Sequence, residues 1–140
     1  MTYFLYETKE KIIEIEQWGE TGLQEVDLGY CEILRKIASP SRRSFENVTS
    51  FAWTFQFCTS LTQIPENLFA NCPNVTRFIA TFYDCTSLTG APNELWTRGD
   101  NSEKNYYQGT PNGGCCYYNC TRLNGYESIP SYWKQETNNN

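Results

Sequence analysis

Seven cysteines and no histidine in 140 residues bound the chemistry open to this chain. Without imidazole there is no Ser-His-Asp or Cys-His catalysis, no His-ligated zinc and no imidazole general base. Thiols remain, as nucleophiles, metal ligands or disulfide partners. Their odd number means that not all seven can pair within one chain. A structural zinc site usually takes two Cys-x-x-Cys pairs, a form that Cys115-Cys116-x-x-x-Cys120 lacks. No phosphate loop or Gly-rich nucleotide motif is present, and nothing selects a catalytic pair of carboxylates. The chain therefore reads as no enzyme, with no catalytic residue, no cofactor and no metal.

Charge narrows the partners. Lys+Arg number 11 and Asp+Glu 16, for a net charge of −5. An acidic surface opposes a nucleic-acid partner, because backbone phosphates need basic groups. No apolar run is long enough for membrane insertion. The N-terminal Met1-Thr2-Tyr3-Phe4-Leu5-Tyr6-Glu7 has no basic region or long apolar stretch, so no signal peptide is read there and a cytoplasmic location stays open. Aromatic residues make up 16% of the chain, ample apolar area for a core.

The elements that must position these side chains are set by an internal repeat. Phe51 to Phe69 aligns with Phe78 to Trp96 at an offset of 27, with ten of nineteen positions identical. Asn47-Val48-Thr49 matches Asn74-Val75-Thr76 at the same offset, and Cys31 lies 27 before Cys58. A further copy, Cys116 to Gly125, follows an insertion. Cys31, Cys58, Cys85 and Cys120 thus recur as one position, which suits a small buried apolar residue better than a disulfide framework. Cys72, Cys115 and Cys116 stay open to a disulfide. A period of this size marks a solenoid or array. Within one copy Val48, Phe51, Phe55, Cys58, Leu61, Ile64 and Leu68 are spaced by three or four, as on an amphipathic helix. Pro65, Pro73 and Pro92, with intervening Thr, Ser and Asn, oppose a continuous helix. The expectation is one circuit per copy with these residues inward. Phe-x-x-Thr-Phe-x-x-Cys would be a short helical or 3-10 turn, and Thr-Ser-Leu-Thr a short strand in a parallel β ladder.

The string Asn-Val-Thr-x-Phe-x-x-Thr-Phe-x-x-Cys-Thr-Ser-Leu-Thr-x-Ile-Pro, at Asn47 to Pro65 and again at Asn74 to Pro92 with Gly90-Ala91 for x-Ile, resembles the BspA-type leucine-rich repeats of bacterial surface and phage tail-associated proteins. The resemblance spans roughly residues 13 to 133. It implies a leucine-rich-repeat solenoid, mostly β and irregular, used for protein binding or cell adhesion, and an extracellular-surface or virion location. It implies no catalytic residue.

The chain reads as a single domain, 1–140. Residues 1–22 form an N-terminal cap, 23–96 the regular repeats, 97–114 an inserted loop, 115–134 the last repeat and cap, and 135–140 a disordered tail. Loops on rigid scaffolds often carry recognition. The expected function is recognition of a protein or cell-surface glycan, without chemistry, through the repeat face and the inserted aromatic loop. Tyr106, Tyr107, Arg98, Tyr118, Tyr83 and Trp53 are the candidate binding residues, with Phe57 among the aromatics outside the repeat pattern. The plainer reading of these rings is packing over an irregular loop. The alternative function is an intracellular interaction or inhibitor protein encoded by a phage or bacterium. A remote one is ice binding by rows of Thr59/Thr86/Thr121 and Thr62/Thr89. Arg35, Lys36, Arg42 and Arg43 make one basic stretch, read chiefly as a solvated loop. Exposed ladder edges allow end-to-end self-association.

Overall fold

Proline removes a backbone donor, and Thr, Ser and Asn side chains compete for backbone hydrogen bonds, so the repeated segments favour turns. The computed structural model describes residues 9–19, 22–98, 106–107 and 110–136. Regular elements among them are short. Two-residue strands are β1 (Glu14–Ile15), β2 (Lys36–Ile37), β3 (Tyr106–Tyr107) and β4 (Thr110–Pro111). 3-10 turns occupy Lys9–Lys11, Leu95–Thr97 and Tyr126–Ser128, and α1 is Ser131–Lys134. β1 and β2 pair in parallel, with Ile15 opposite Ile37. β3 and β4 pair antiparallel, with Tyr106 opposite Pro111.

The expected leucine-rich-repeat solenoid with a parallel β ladder is therefore corrected. Among the described residues, parallel pairing is seen between β1 and β2 and at isolated bridges from Arg77 to Ser50 and to Asn112. Most described residues lie in turns and irregular chain. The Thr-Ser-Leu-Thr segments are not strands: their leucine donors close local turns, while the Thr89 N–H reaches across to the Thr62 carbonyl (2.8 Å). The N–H of Leu61 bonds the Cys58 carbonyl (3.2 Å) and that of Leu88 the Cys85 carbonyl (3.3 Å). The short helical or 3-10 turn expected for Phe-x-x-Thr-Phe-x-x-Cys appears as an unbroken series of tight turns over 52–57 and 79–84, closed by bonds to carbonyls three residues back.

Along that series the donors alternate. The N–H groups of Phe51, Trp53, Phe55 and Phe57 reach across to the carbonyls of Arg77, Ile79, Thr81 and Tyr83, at 2.7–2.9 Å. Those of Thr54, Gln56 and Cys58 bond back three residues within their own segment, at 3.2–3.3 Å. Leu28 and Tyr30 bond Thr54 and Gln56 in the same way. After the insertion the pattern resumes, with Phe78, Ala80, Phe82 and Asp84 donating to Asn112, Gly114, Cys116 and Tyr118. Every second backbone donor thus links one segment to the next, so these backbone groups are paired without long strands.

The core follows the sequence spacing. Val48, Phe51, Phe55, Cys58, Leu61 and Leu68 are all buried, and Ile64 packs partly buried against them. Equivalent phenylalanines stack: Phe55 on Phe82 at 5.4 Å and 4°, then Phe82 on Tyr117 at 5.8 Å and 15°. Trp133 closes this column beyond Tyr117 (6.4 Å), and Trp18 meets Phe55 edge-on at the other end (6.4 Å). The Trp18 indole donates to the Ala38 carbonyl (2.6 Å), fixing the N-terminal segment over the core. Trp133 lies directly on Gly113, where an added Cβ would fall 2.1 Å from the ring.

Candidate functional site

Two positions per segment take left-handed backbone without glycine. Five residues before the repeating cysteine stand Trp53 (φ 64°), Ala80 (53°) and Cys115 (51°). Directly before it stand Tyr30 (66°), Phe57 (57°), Asp84 (59°) and Asn119 (63°). Asp and Asn tolerate this region, whereas bulky rings are rare there. Of these residues Tyr30 and Trp53 are the large rings turned outward, 53% and 43% exposed.

These rings join into one strip. Tyr30 and Phe57 stack at 4.8 Å and 8°. Phe57 meets Tyr83 at 5.7 Å and 50°, and Trp53 meets Tyr83 at 5.9 Å and 49°. Tyr83 meets Tyr118 at 4.7 Å and 36°. Beneath Tyr83 and Tyr118 lies a small apolar cluster of Ile79, Ala80 and Cys115, separate from the main core. The strip is thus carried by four successive segments and held from below.

At the Tyr118 end of the strip, the Asn119 amide donates to the Asp84 carboxylate (2.8 Å). Partial burial raises the Tyr83 phenol pKa above its ordinary value, and the adjacent Asp84 carboxylate adds to the rise. The Tyr118 phenol is raised too, by desolvation and then by Glu136 and Asp84. Acidic groups gather at this end.

Of the expected binding residues, the structure brings together Trp53, Tyr83 and Tyr118, with Phe57. Tyr30 was not among them, although it precedes Cys31 as Phe57 precedes Cys58. Arg98 sits apart in its described contacts. Its guanidinium donates to the Cys72 carbonyl (3.1 Å) and the Cys72 thiol (3.1 Å), and lies over the Phe78 ring (5.3 Å). Tyr106 and Tyr107 form β3, and their side chains lie outside the described residues. The rest of the expected loop, at 99–105 and 108–109, lies outside them too.

All seven cysteines are buried and none forms a disulfide, so neither Cys72 nor Cys115 is tied in that way. The recurring thiols have a polar role. Cys58 donates to the Leu28 carbonyl (3.1 Å), Cys85 to Phe55 (2.9 Å) and Cys120 to Phe82 (3.0 Å). Each such carbonyl also accepts the N–H three residues on, so the thiol ties neighbouring segments at a turn. Burial pushes Cys31 and Cys115 up to about 11 and Cys58 up to about 12. It raises Cys85, Cys116 and Cys120 further. These thiols are not poised as nucleophiles. In the threonine rows, the Thr89 hydroxyl donates to the Thr62 carbonyl (3.0 Å) and that of Ser87 to Thr59 (2.6 Å). The basic stretch is engaged with acids, Arg35 with Glu14 (3.4 Å) and Arg43 with Glu46 (3.0 Å).

No family model, curated protein or solved structure matches this chain.

Proposed function

We propose that this protein is a non-catalytic binding module that recognises a protein or cell-surface glycan through the strip Tyr30–Phe57–Trp53–Tyr83–Tyr118. The observation that carries this reading is the left-handed backbone at Tyr30, Trp53 and Phe57. Sparsely populated backbone costs about 1–3 kcal/mol per residue and gathers at functional sites. Exposed rings on such positions stabilise the fold little, yet offer area that a partner would cover at roughly 25 cal/mol per Å². Tyr and Trp suit that task, because they add contact area at low entropic cost.

The test is a screen of the wild-type chain against immobilised peptide and glycan panels, repeated with Tyr30→Asn/Trp53→Asn. Asparagine accepts the left-handed region, so the fold is kept while the rings are lost. Ligands retained by wild type and lost by the variant, with unchanged near-UV circular dichroism, support the reading. Ligands bound equally by both overturn it.

Seven thiols without a disulfide among them favour a second setting, an intracellular interaction or inhibitor protein. Disulfides persist in oxidising compartments, and reduced thiols suit the cytosol. The same strip would serve in either compartment.

A further inference from the structure

We infer that the strip takes arginine or lysine side chains of a protein partner, an inference that rests on the binding-module reading above. Ring geometry is the first ground. A sugar stacks flat on an open ring face, but Tyr30 and Phe57 cover one face of each other at 4.8 Å. Around Tyr83 the rings of Trp53, Phe57 and Tyr118 are tilted by 49°, 50° and 36°, which makes notches and not a platform. A guanidinium or ammonium enters such notches, because it needs only a ring face within about 6 Å. A guanidinium also stacks on aromatic faces while donating to carboxylates.

Charge is the second ground. Asp84 stands within the strip, its carboxylate bonded by Asn119 and its neighbours the Tyr83 and Tyr118 rings. The charges acting on the Tyr118 phenol are both acidic, Glu136 and then Asp84. The chain as a whole carries −5. Rings and carboxylates on one surface attract a cation from both sides, and the net charge steers a basic partner in.

The experiment uses the full chain, labelled for amide NMR and titrated with a short capped arginine–glycine peptide. Parallel titrations use the same peptide with glutamate for arginine, and soluble oligosaccharides. The expected result is that the arginine peptide shifts the amides of Tyr30, Phe57, Trp53, Tyr83 and Tyr118, and the glutamate peptide does not. Trp53→Asn should weaken binding about tenfold, as expected for loss of a partly desolvated cation–π contact. Asp84→Asn should weaken it by about threefold or more, with its left-handed backbone preserved. Glu66→Gln, exposed and outside the strip, is the charge-matched control and should change nothing. Equal weakening by Glu66→Gln and Asp84→Asn would reduce the effect to general acidity and overturn the inference. Shifts that map away from the strip would overturn it too. An oligosaccharide that shifts the strip where the arginine peptide does not overturns this inference and leaves the binding-module reading standing.

Discussion

At the scale of single residues, cysteine does work here that neither alanine nor serine would share. Its side chain fills an apolar site, and its thiol still reaches a carbonyl of the next segment, as Cys85 does to Phe55 at 2.9 Å. Burial holds these thiols neutral. The native chain should therefore resist a thiol-specific reagent at pH 8 over minutes, and release all seven groups once unfolded in guanidinium. Thiol counting checks this, and fewer than seven in the unfolded chain would reveal disulfides. The sequence pointed to the apolar half of this role, since Cys31, Cys58 and Cys85 recur at an offset of 27 among apolar neighbours, and not to the thiol-to-carbonyl bond. It did not reveal the left-handed backbone at Tyr30, Trp53 and Phe57. No glycine marks those positions, and a ring in the left-handed region has no compositional signature.

At the scale of elements, spacing was a better guide than propensity. Phe51, Phe55, Cys58, Leu61 and Leu68, spaced by three or four, were expected inward and are buried. The same residues were expected to sit on turn-and-strand circuits, and there the reading failed. Thr and Ser favour strands in general. Here the Leu61 and Leu88 donors close turns onto the carbonyls of Cys58 and Cys85, and the single Thr89-to-Thr62 bond does not extend into a strand. The strip was half legible: Trp53, Tyr83 and Tyr118 were named, while Arg98 proves to brace the Cys72 turn in its described contacts. A second element-scale consequence lies at the C-terminal end. The ring of Trp133 occupies the space above Gly113. Gly113→Ala should therefore destabilise the fold by about 1–3 kcal/mol, the usual effect of overpacking. The urea midpoint measures it, and combination with Trp133→Leu should relieve much of the added loss.

At the scale of the whole molecule, the aromatic column runs between two tryptophans, Trp18 and Trp133, and the thiols are distributed along its length. Stability should then depend on pH in one direction across the entire fold. The folded thiols have pKa values above the ordinary one, about 11 for Cys31 and about 12 for Cys58. Their contribution is fully present below the unfolded value near 9 and is lost as pH climbs through the folded values. The buried Tyr117 phenol, raised by desolvation, adds to the same trend. The urea midpoint should fall steadily from about pH 9 towards pH 11, and Cys58→Ala should flatten the slope. A midpoint independent of pH across that range would show the thiols to be solvated.

The slot before the repeating cysteine holds Tyr30, Phe57, Asp84 and Asn119 in turn. Its first two occupants are rings and its last two are a hydrogen-bonded polar pair. A surface built from near-identical segments would offer a bound chain equivalent registers, one segment apart. This one has a beginning and an end. A partner laid across the strip meets the bare rings at one terminus and the carboxylate at the other, so it can dock in one heading and one frame.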